Sequence, residues 1–424
     1  MRRVFIFFCA ALAAAAPAAA SPPSPIIVLE PDSAQLRQTE NMIYVEESLR
    51  PPAAAEDELL ADLTPERALE SPLDFLFPMH HLYTELRQGL QRYRVRWGGL
   101  PEVEIPAGPT LRPGQSGERV ALLRERLGLP PGLGYDSELA AAVREYQQAH
   151  GIGSDGIAGD ATIASLNLGP EHYERVILLN LDRVRGLPPE EPGRYVLVDA
   201  AAAQLWLYED GRPVDTMRVI VGNAEQPTPM MAASISYAEV NPYWNVPPDF
   251  VQRRIAPRIL AEGTGYLRDR RYEVLADWTE QAEAIDPDGV DWIAVERGET
   301  EMRLRQLPGA NNSMGEIKFM MPNPLGIYLH DTPDKSLFQQ DARWISNGCV
   351  RVEDARRLAR WMFGEMPHAE PRDRQQRIDL DRPVPVYITY LTAAPGPDGE
   401  VRFRADPYGR DDAATRAMIH ARLD

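Results

Sequence analysis

The sequence predicts an α+β multidomain protein, in which a helical scaffold and a small three-helix domain precede a mixed, β-rich domain. The chain has 424 residues, which is more than one ordinary domain holds. Apolar residues recur at helical spacing before residue 193, and short runs of β-forming residues follow it. The 39 prolines and 30 glycines indicate many turns. These observations favour several units of different secondary structure over one helical bundle.

The N-terminus is typical of an export signal. Residues 1–20 contain Arg2 and Arg3, then an apolar stretch, then small residues at 18–20 that suit cleavage. The apolar stretch is shorter than the ~20 residues that span a bilayer, so we expect no transmembrane anchor after cleavage. Residues 21–56 are rich in Pro, Ala, Ser and Glu and predict a disordered arm.

The charge of the chain argues against one class of partner. Acidic residues exceed basic residues by 63 to 45, which gives a net charge of −18. Nucleic acids select basic surfaces, so we expect no nucleic-acid partner. The sequence offers no His/Cys cluster with the spacing of metal ligands, so we expect no metal site.

Helical segments precede the β-rich domain. Residues 57–111 predict a helical scaffold, with helical pieces over 73–78 and 82–93. Residues 171–192 predict a helical connector that leads into the β-rich domain. Between them, residues 112–170 predict a separate compact unit.

That unit consists of three predicted helices joined by glycine turns. Val120, Leu123 and Leu127 share one helical face, Asp136 and Asp160 are placed to cap the second and third helices, and Gly151 is placed to end the second. The pattern of glycines and core residues resembles the type 1 peptidoglycan-binding domain, through Gly114, Gly117, Leu123, Leu127, Gly134, Tyr135, Asp136, Val143, Tyr146, Gly151, Asp155, Gly156, Gly159 and Leu166. The resemblance implies a glycan partner. The alternative is a helical spacer that does not bind glycan.

Residues 193–392 predict the β-rich domain. Strand-like runs lie at 195–198, 204–208, 216–221, 235–240, 317–321, 326–330 and 383–391, and a hairpin turn lies at 209–212. Residues 249–303 are charged and partly helical, and they predict an insertion. We expect a helix from Val352 onward and a polar tail over residues 393–424.

Cys349 is the main candidate for chemistry. Signal cleavage would remove Cys9, so Cys349 would be the only thiol of the exported chain. A neighbouring histidine could take its proton and hold the thiolate as an ion pair. His330 is placed for this task because it ends a predicted strand 19 residues earlier. The alternatives are a buried, inert cysteine and an ordinary histidine at a strand end.

The residues around Cys349 predict an oxyanion site. Gly348 permits a tight turn, so that the backbone amides of Asn347, Gly348 and Cys349 can point to one place. A helix beginning close to Cys349 would favour the thiolate. Arg351 could bind a substrate carboxylate or form a structural salt bridge, and the sequence leaves both open.

The run Ser346-Asn347-Gly348-Cys349-Val350-Arg351, with His330 before it, resembles the signature of the YkuD-type L,D-transpeptidase catalytic domain. The runs at 221–229, 241–247, 305–312, 315–319 and 328–333 resemble its large periplasmic YcbB-like subgroup, which carries a peptidoglycan-binding module. The resemblance implies that Cys349 is the nucleophile and His330 the base, oriented by a backbone carbonyl. It makes Asp331 only a weak candidate for a third catalytic group.

The resemblance also implies substrate-binding roles for Ser346, Tyr328 and Trp244 beside Arg351, and a cap over the active site formed by residues 249–303. Many family members have His where this chain has Asn347, so only the backbone amide of Asn347 is given a role.

The activity implied by the resemblance is the formation of 3-3 crosslinks in peptidoglycan, a reaction that requires neither a metal nor an organic cofactor. Cys349 would form a thioester with a tetrapeptide stem, release D-alanine, and pass the acyl group to the side-chain amine of a second stem, meso-diaminopimelate. Carbapenem-type inhibitors would acylate Cys349, and the location would be the periplasm. The alternatives are an L,D-carboxypeptidase or crosslink hydrolase, attachment of a protein to the wall, and a non-catalytic wall-binding protein.

Overall fold

The structure is a computed structural model that describes residues 42–49, 79–189, 193–279, 281–369 and 374–412. The predicted signal at 1–20, most of the predicted arm and the helical piece at 73–78 lie outside these residues. Within the described ranges, no helix has the length and apolar character needed to cross a membrane.

The described helices are α1 His81–Tyr93, α2 Glu118–Arg126, α3 Ser137–Ala149, α4 Asp160–Leu168, α5 Pro170–Arg185, α6 Pro248–Phe250, α7 Ala256–Glu262, α8 Gly265–Asp269, α9 Trp292–Glu296 and α10 Ala355–Phe363. The strands are β1 Tyr44–Val45, β2 Arg194–Asp199, β3 Gln204–Glu209, β4 Arg212–Gly222, β5 Met231–Val240, β6 Trp244–Val246, β7 Tyr272–Leu275, β8 Ala284–Ile285, β9 Arg303–Gln306, β10 Ile317–Met320, β11 Leu329–His330, β12 Trp344–Ser346, β13 Val350–Val352, β14 Gln376–Thr389, β15 Ala393–Pro395 and β16 Val401–Phe403. The predicted mixture of helices and strands is confirmed.

Eight strands of the β-rich domain pair in a closed ring. Its order is β5, β10, β11, β13, β4, β3, β2 and β14, and β14 pairs with β5 again. The pairs β11–β13 and β2–β14 are parallel and the others in the ring are antiparallel. The core is apolar, with side chains such as Val196, Leu205 and Phe319 fully buried. Closing the ring leaves few free strand edges.

The predicted insertion folds around its own small core. Strands β6, β9, β7 and β8 form a four-stranded sheet, on which α7 and α9 pack through Ile259 and Val295. Since β6 and β9 belong to this sheet, the insertion extends over residues 244–306. The predicted bounds of 249–303 were therefore too narrow at both ends, because the sheet's first and last strands pair with each other.

The helical unit follows its sequence pattern closely. The Asp136 side chain accepts a hydrogen bond from Leu139 N at 2.9 Å and caps α3, as predicted. Gly151 lies just after α3 with φ +68°, and a Cβ there would lie 2.4 Å from Phe403 O, so a side chain is excluded. The predicted cap at Asp160 was wrong by one residue, since Gly159 occupies that position.

Residues 42–49 and 393–412 correct two predictions. Part of the predicted disordered arm forms β1, which pairs in parallel with β5. The described part of the predicted polar tail forms the β15–β16 hairpin, with Phe403 buried among the rings of Tyr93, His150 and Tyr173 at centroid distances of 4.8–5.5 Å. The tail prediction failed because average polarity hid the short alternation Val401-Arg402-Phe403.

Truncating this ring cluster should destabilise the protein. We expect Phe403→Ala to lower the free energy of unfolding by about 3–5 kcal/mol, because it leaves a cavity among the rings of Tyr93, His150 and Tyr173. Urea unfolding followed by tryptophan fluorescence measures this. The control is Phe363→Ala, at the partly exposed end of α10, where the loss should be smaller. Equal losses for the two variants would contradict the docking of the hairpin.

Candidate active site

The strand register places the predicted catalytic residues on one face of the sheet. His330 of β11 pairs with Lys318 of β10 and with Arg351 of β13. Paired residues share a face, and so do alternate residues along a strand. Val350 N donates to Tyr328 O at 3.1 Å, so the pairing of β11 with β13 extends by one residue toward Tyr328 and Cys349. Tyr328 and Cys349 therefore lie beside His330 and Arg351, although the two strands are separated in sequence.

His330 is oriented by the backbone. It is buried, and its Nδ1 lies 2.5 Å from Asp331 O. A carbonyl only accepts, so Nδ1 carries the hydrogen and Nε2 has a free lone pair. The predicted orienting carbonyl is thus found, whereas the Asp331 side chain forms an ion pair with Lys335 at 2.6 Å. Burial, and then the charge of Arg351, lower the pKa of His330 to about 3, so its imidazole is neutral at physiological pH.

The surroundings of Cys349 favour its neutral thiol over the thiolate. Its Sγ donates to Gly326 O at 3.7 Å and contacts the Tyr328 hydroxyl. Burial raises the pKa of the Cys349 thiol, although hydrogen bonds from Tyr328 and the charges of Lys318 and Arg351 act in the opposite direction. Burial thus favours the neutral form of both side chains over the predicted thiolate–imidazolium pair. The arrangement instead suits proton transfer to His330 during attack.

The helix predicted after Cys349 is present, but its predicted start at Val350–Val352 was wrong. Val350–Val352 forms a strand between β11 and β4, and α10 begins only at Ala355, capped by the Asp354 side chain. The β-branched valines alternate with Arg351, which suits a strand, and pairing on both sides secures it. The helix N-terminus is therefore six residues beyond Cys349 and gives its thiolate no direct support.

Hydrogen bonds fix the direction of two backbone amides at the nucleophile. Thr228 Oγ1 donates to Gly348 O at 2.7 Å, and Asn223 N donates to Ser346 O at 2.9 Å. In a trans peptide the N–H points opposite to the C=O, so these bonds also aim the N–H groups of Cys349 and Asn347. Among the described residues neither N–H has an acceptor. Both are free to bind an oxyanion.

Ser346 stabilises the turn before Cys349, and its predicted role in binding substrate stays a prediction. Its hydroxyl donates to Cys349 O at 2.6 Å and accepts from Gly348 N at 3.2 Å. Gly348 has φ +108°, which a residue with a Cβ rarely adopts. The Gly348 amide is already bonded to the Ser346 hydroxyl, so two of the three predicted oxyanion donors, the amides of Asn347 and Cys349, are free.

Arg351 has the character of an anion-binding residue. Its Nε is buried without a hydrogen-bond partner, and no carboxylate of the described ranges lies within ion-pair distance of it. Burial lowers the pKa of its guanidinium, while Cys349 and Asp334 act in the opposite direction. A structural salt bridge, the alternative left open by the sequence, is absent from this part of the chain. The geometry favours a substrate carboxylate.

Trp244 does not share this face. It lies in β6 of the four-stranded sheet, where its ring packs against Phe250 and Tyr272 at 5.3 and 6.2 Å. Its side chain is partly buried and packs against the core of the insertion. The predicted substrate contact of Trp244 therefore has no support in the structure. Gln226, in the loop that follows β4, donates to Asp249 Oδ2 of the insertion at 3.4 Å.

Sequence reasoning missed the ion pair of Lys318 and Glu239 on the face that carries His330. Lys318 Nζ lies 2.8 Å from Glu239 Oε2 and 4.8 Å from the centre of the Tyr328 ring. Both side chains are largely buried, so the pair is held in one place. A lysine within the otherwise apolar strand β10 was the signal that could have found it. Among the described residues, no cluster of His, Cys, Asp and Glu is arranged to hold a metal.

The raised pKa of the Cys349 thiol predicts the pH dependence of its alkylation. Since burial raises that pKa above the usual value, we expect the rate with iodoacetamide to rise about tenfold per pH unit and to continue rising beyond pH 9. Stopped-time mass spectrometry of the modified protein measures the rate. His330→Gln is the control and should leave the profile nearly unchanged. A plateau below pH 8 would instead indicate an ion pair with His330.

Two family models match parts of the chain. The family model described as "L,D-transpeptidase catalytic domain" (YkuD) matches residues 193–386, and that of the "Putative peptidoglycan binding domain" matches residues 117–166. A "Putative L,D-transpeptidase" of Haemophilus influenzae is 32% identical over 251 residues, which cover 58% of this chain and 50% of the relative. The chain thus spans half the length of this relative.

Similar solved structures include two L,D-transpeptidases. That from Xylanimonas cellulosilytica is 17% identical, with a TM-score of 0.21 and coverage of 67% of this chain and 98% of that one. That from Mycobacterium smegmatis is 13% identical, with a TM-score of 0.24 and coverage of 46% and 59%. Residues 193–386 thus match the L,D-transpeptidase catalytic domain, in the part of the chain that carries His330 and Cys349, and residues 117–166 match a putative peptidoglycan-binding domain.

Proposed function

We propose that this protein is a cysteine L,D-transpeptidase that forms 3-3 crosslinks in peptidoglycan through an acyl-enzyme on Cys349. The observation that carries the proposal is the parallel pairing of β11 and β13, which puts Cys349 and His330 on the same face of neighbouring strands, with the Nδ1 of His330 bonded to the backbone and its Nε2 left available. The match of residues 193–386 to the L,D-transpeptidase catalytic domain supports the same reaction.

In the acylation step, Cys349 Sγ attacks the carbonyl carbon of the third residue of a tetrapeptide stem. The thiol proton passes to His330 Nε2 as the S–C bond forms. The oxyanion is bound by the N–H groups of Asn347 and Cys349, and each such donor is worth a factor of ~10²–10³ in rate. His330 then gives the proton to the leaving amine, the C–N bond breaks, and D-alanine departs.

In the transfer step, the side-chain amine of a diamino acid on a second stem, such as meso-diaminopimelate, attacks the thioester. His330 takes a proton from that amine, the C–S bond breaks, and Cys349 regains its proton. The product is a 3-3 crosslink. Arg351 is the side chain that would bind a carboxylate of the stem, since its guanidinium is buried beside Cys349 without a carboxylate partner in the described residues.

The other domains fit an enzyme that works on an extended polymer. We propose that residues 117–166 bind glycan strands, that residues 244–306 cap the active site, and that the protein acts in the periplasm of a cell whose wall it helps to shape. Its membership of the YcbB-like subgroup stays a prediction. Carbapenems should acylate Cys349, because their strained carbonyl can take the place of the stem carbonyl.

Incubation of the protein with disaccharide-tetrapeptide, followed by mass spectrometry of the products, tests the proposal. We expect a 3-3 dimer together with free D-alanine, and no turnover by Cys349→Ala. Tripeptide without dimer would show that water resolves the acyl-enzyme, as in an L,D-carboxypeptidase. No turnover by the unaltered protein would favour a non-catalytic wall-binding role and contradict the proposal.

A further inference from the structure

The C-terminal segment, residues 404–412, reaches the loop that holds the nucleophile. It lies beyond residue 386, where the match to the catalytic domain ends. Tyr408 OH donates to Gly222 O at 2.7 Å, and Arg410 Nη2 donates to Thr228 O at 3.0 Å. The C-terminal segment is therefore hydrogen-bonded to both ends of the loop formed by residues 222–228.

The 222–228 loop in turn holds the backbone of the nucleophile. Gly222 N donates to Thr228 Oγ1 at 2.8 Å, and Thr228 Oγ1 donates to Gly348 O at 2.7 Å. The Gly348 carbonyl and the Cys349 N–H belong to one planar peptide group. The C-terminal segment is therefore separated from a candidate oxyanion donor by a single residue of the loop.

The segment is itself fixed by buried contacts. The Tyr390 and Tyr408 rings stack with a centroid distance of 5.1 Å, and the Arg410 guanidinium lies 4.9 Å from each ring centre. Arg183 of α5 forms an ion pair with Asp411 at 2.7 Å, and the Arg183 side chain is almost fully buried. A segment held this firmly can impose a direction on the loop that it contacts.

We propose that Tyr408 and Arg410 are positioning residues for the acylation step. They fix the 222–228 loop, which directs the Cys349 N–H toward the oxyanion. This inference rests on the proposed transpeptidase function. The segment then affects the rate of acylation as well as the stability of the fold. Residues that position an oxyanion donor thus lie outside residues 193–386.

The test compares Tyr408→Phe with Tyr135→Phe in the full chain. Tyr135 is a buried core residue of the helical unit whose hydroxyl donates to Gly156 O at 2.9 Å, so each variant loses one tyrosine hydroxyl bonded to a glycine carbonyl. Two rates are measured at Cys349 by mass spectrometry. Acylation by imipenem requires an oxyanion site, whereas alkylation by iodoacetamide does not.

We expect Tyr408→Phe to slow acylation by imipenem ~10-fold while alkylation stays unchanged, because the donor is misdirected and the thiol is not. Tyr135→Phe should change neither rate. Arg410→Gln should likewise slow acylation by imipenem and leave alkylation by iodoacetamide unchanged. Combining Tyr408→Phe with Thr228→Val should slow acylation no further than Thr228→Val alone, since both act through Gly348 O.

Equal acylation rates for Tyr408→Phe, Arg410→Gln and the unaltered protein would overturn the inference and leave the proposed function intact. If acylation by imipenem and alkylation by iodoacetamide slowed equally, the segment would have a purely structural role, and the inference would again be overturned. An unaltered protein that imipenem does not acylate would contradict the proposed function and, with it, this inference.

Discussion

Cys349→Ala is expected to remove D-alanine release from a tetrapeptide stem, with a loss on the order of 10⁴-fold or more in kcat/KM. The reason is that no other thiol is available: the sequence has two cysteines, and Cys9 lies in the predicted signal. Alanine also leaves the turn at Gly348 untouched, since the bonds there involve only backbone atoms of residue 349. Release of D-alanine is measured with a coupled amino-acid oxidase.

Cys349→Ser is the matched control for this loss. A hydroxyl has nearly the same size as the thiol and can still approach Gly326 O and Tyr328, so the site should keep its shape. Its much higher pKa makes it a poorer nucleophile, and we expect residual acylation far below that of the unaltered protein. If Cys349→Ala released D-alanine at a rate comparable to the unaltered protein, another nucleophile would have to be sought.

His330→Gln is expected to slow acylation of Cys349 by ~10²–10⁴-fold, because it removes the group that takes the thiol proton and later protonates the leaving amine. Glutamine retains a polar side chain in the buried position, so folding is disturbed less than by alanine. The rate is measured with a chromogenic cephalosporin or imipenem by the change in absorbance. KM should change less than kcat, since His330 acts on the proton and not on the bound stem.

The control for His330 is Asp331→Asn. In the structure a carbonyl orients the imidazole, and the Asp331 carboxylate accepts from Lys335 and from Glu316 N. We therefore expect a loss below ~10-fold, which reflects local packing only. A loss as large as that of His330→Gln would show that the Asp331 carboxylate, and not its backbone oxygen, orients the base.

Local chemistry explains why much of the fold and site could be predicted from the sequence. The turn residues Ser346, Asn347 and Gly348 before a lone cysteine mark the nucleophile, and the strand ending at His330 marks the base. The helical unit was predictable because Asp136 and Gly151 act on the backbone within a few residues of themselves. These signals need no knowledge of distant parts of the chain.

The failures concern pairing across long distances in sequence. Val350–Val352 becomes a strand because β4 and β11 lie on either side of it, and no local pattern shows those neighbours. The β15–β16 hairpin had a usable signal in the turn Pro397-Asp398-Gly399, but the surrounding charges concealed it. The bonds from Thr228 to Gly348 and from Arg410 to Thr228 join residues more than a hundred positions apart.

The most direct test of the central claim, that Cys349 carries the acyl group, is the mass of the protein quenched in acid while it turns over disaccharide-tetrapeptide. We predict one adduct, equal in mass to the substrate less D-alanine, located by digestion to the peptide that contains Cys349 and released by hydroxylamine. The adduct should be absent from Cys349→Ala. Turnover without this adduct in any quenched sample, or an adduct on another residue, would contradict the account.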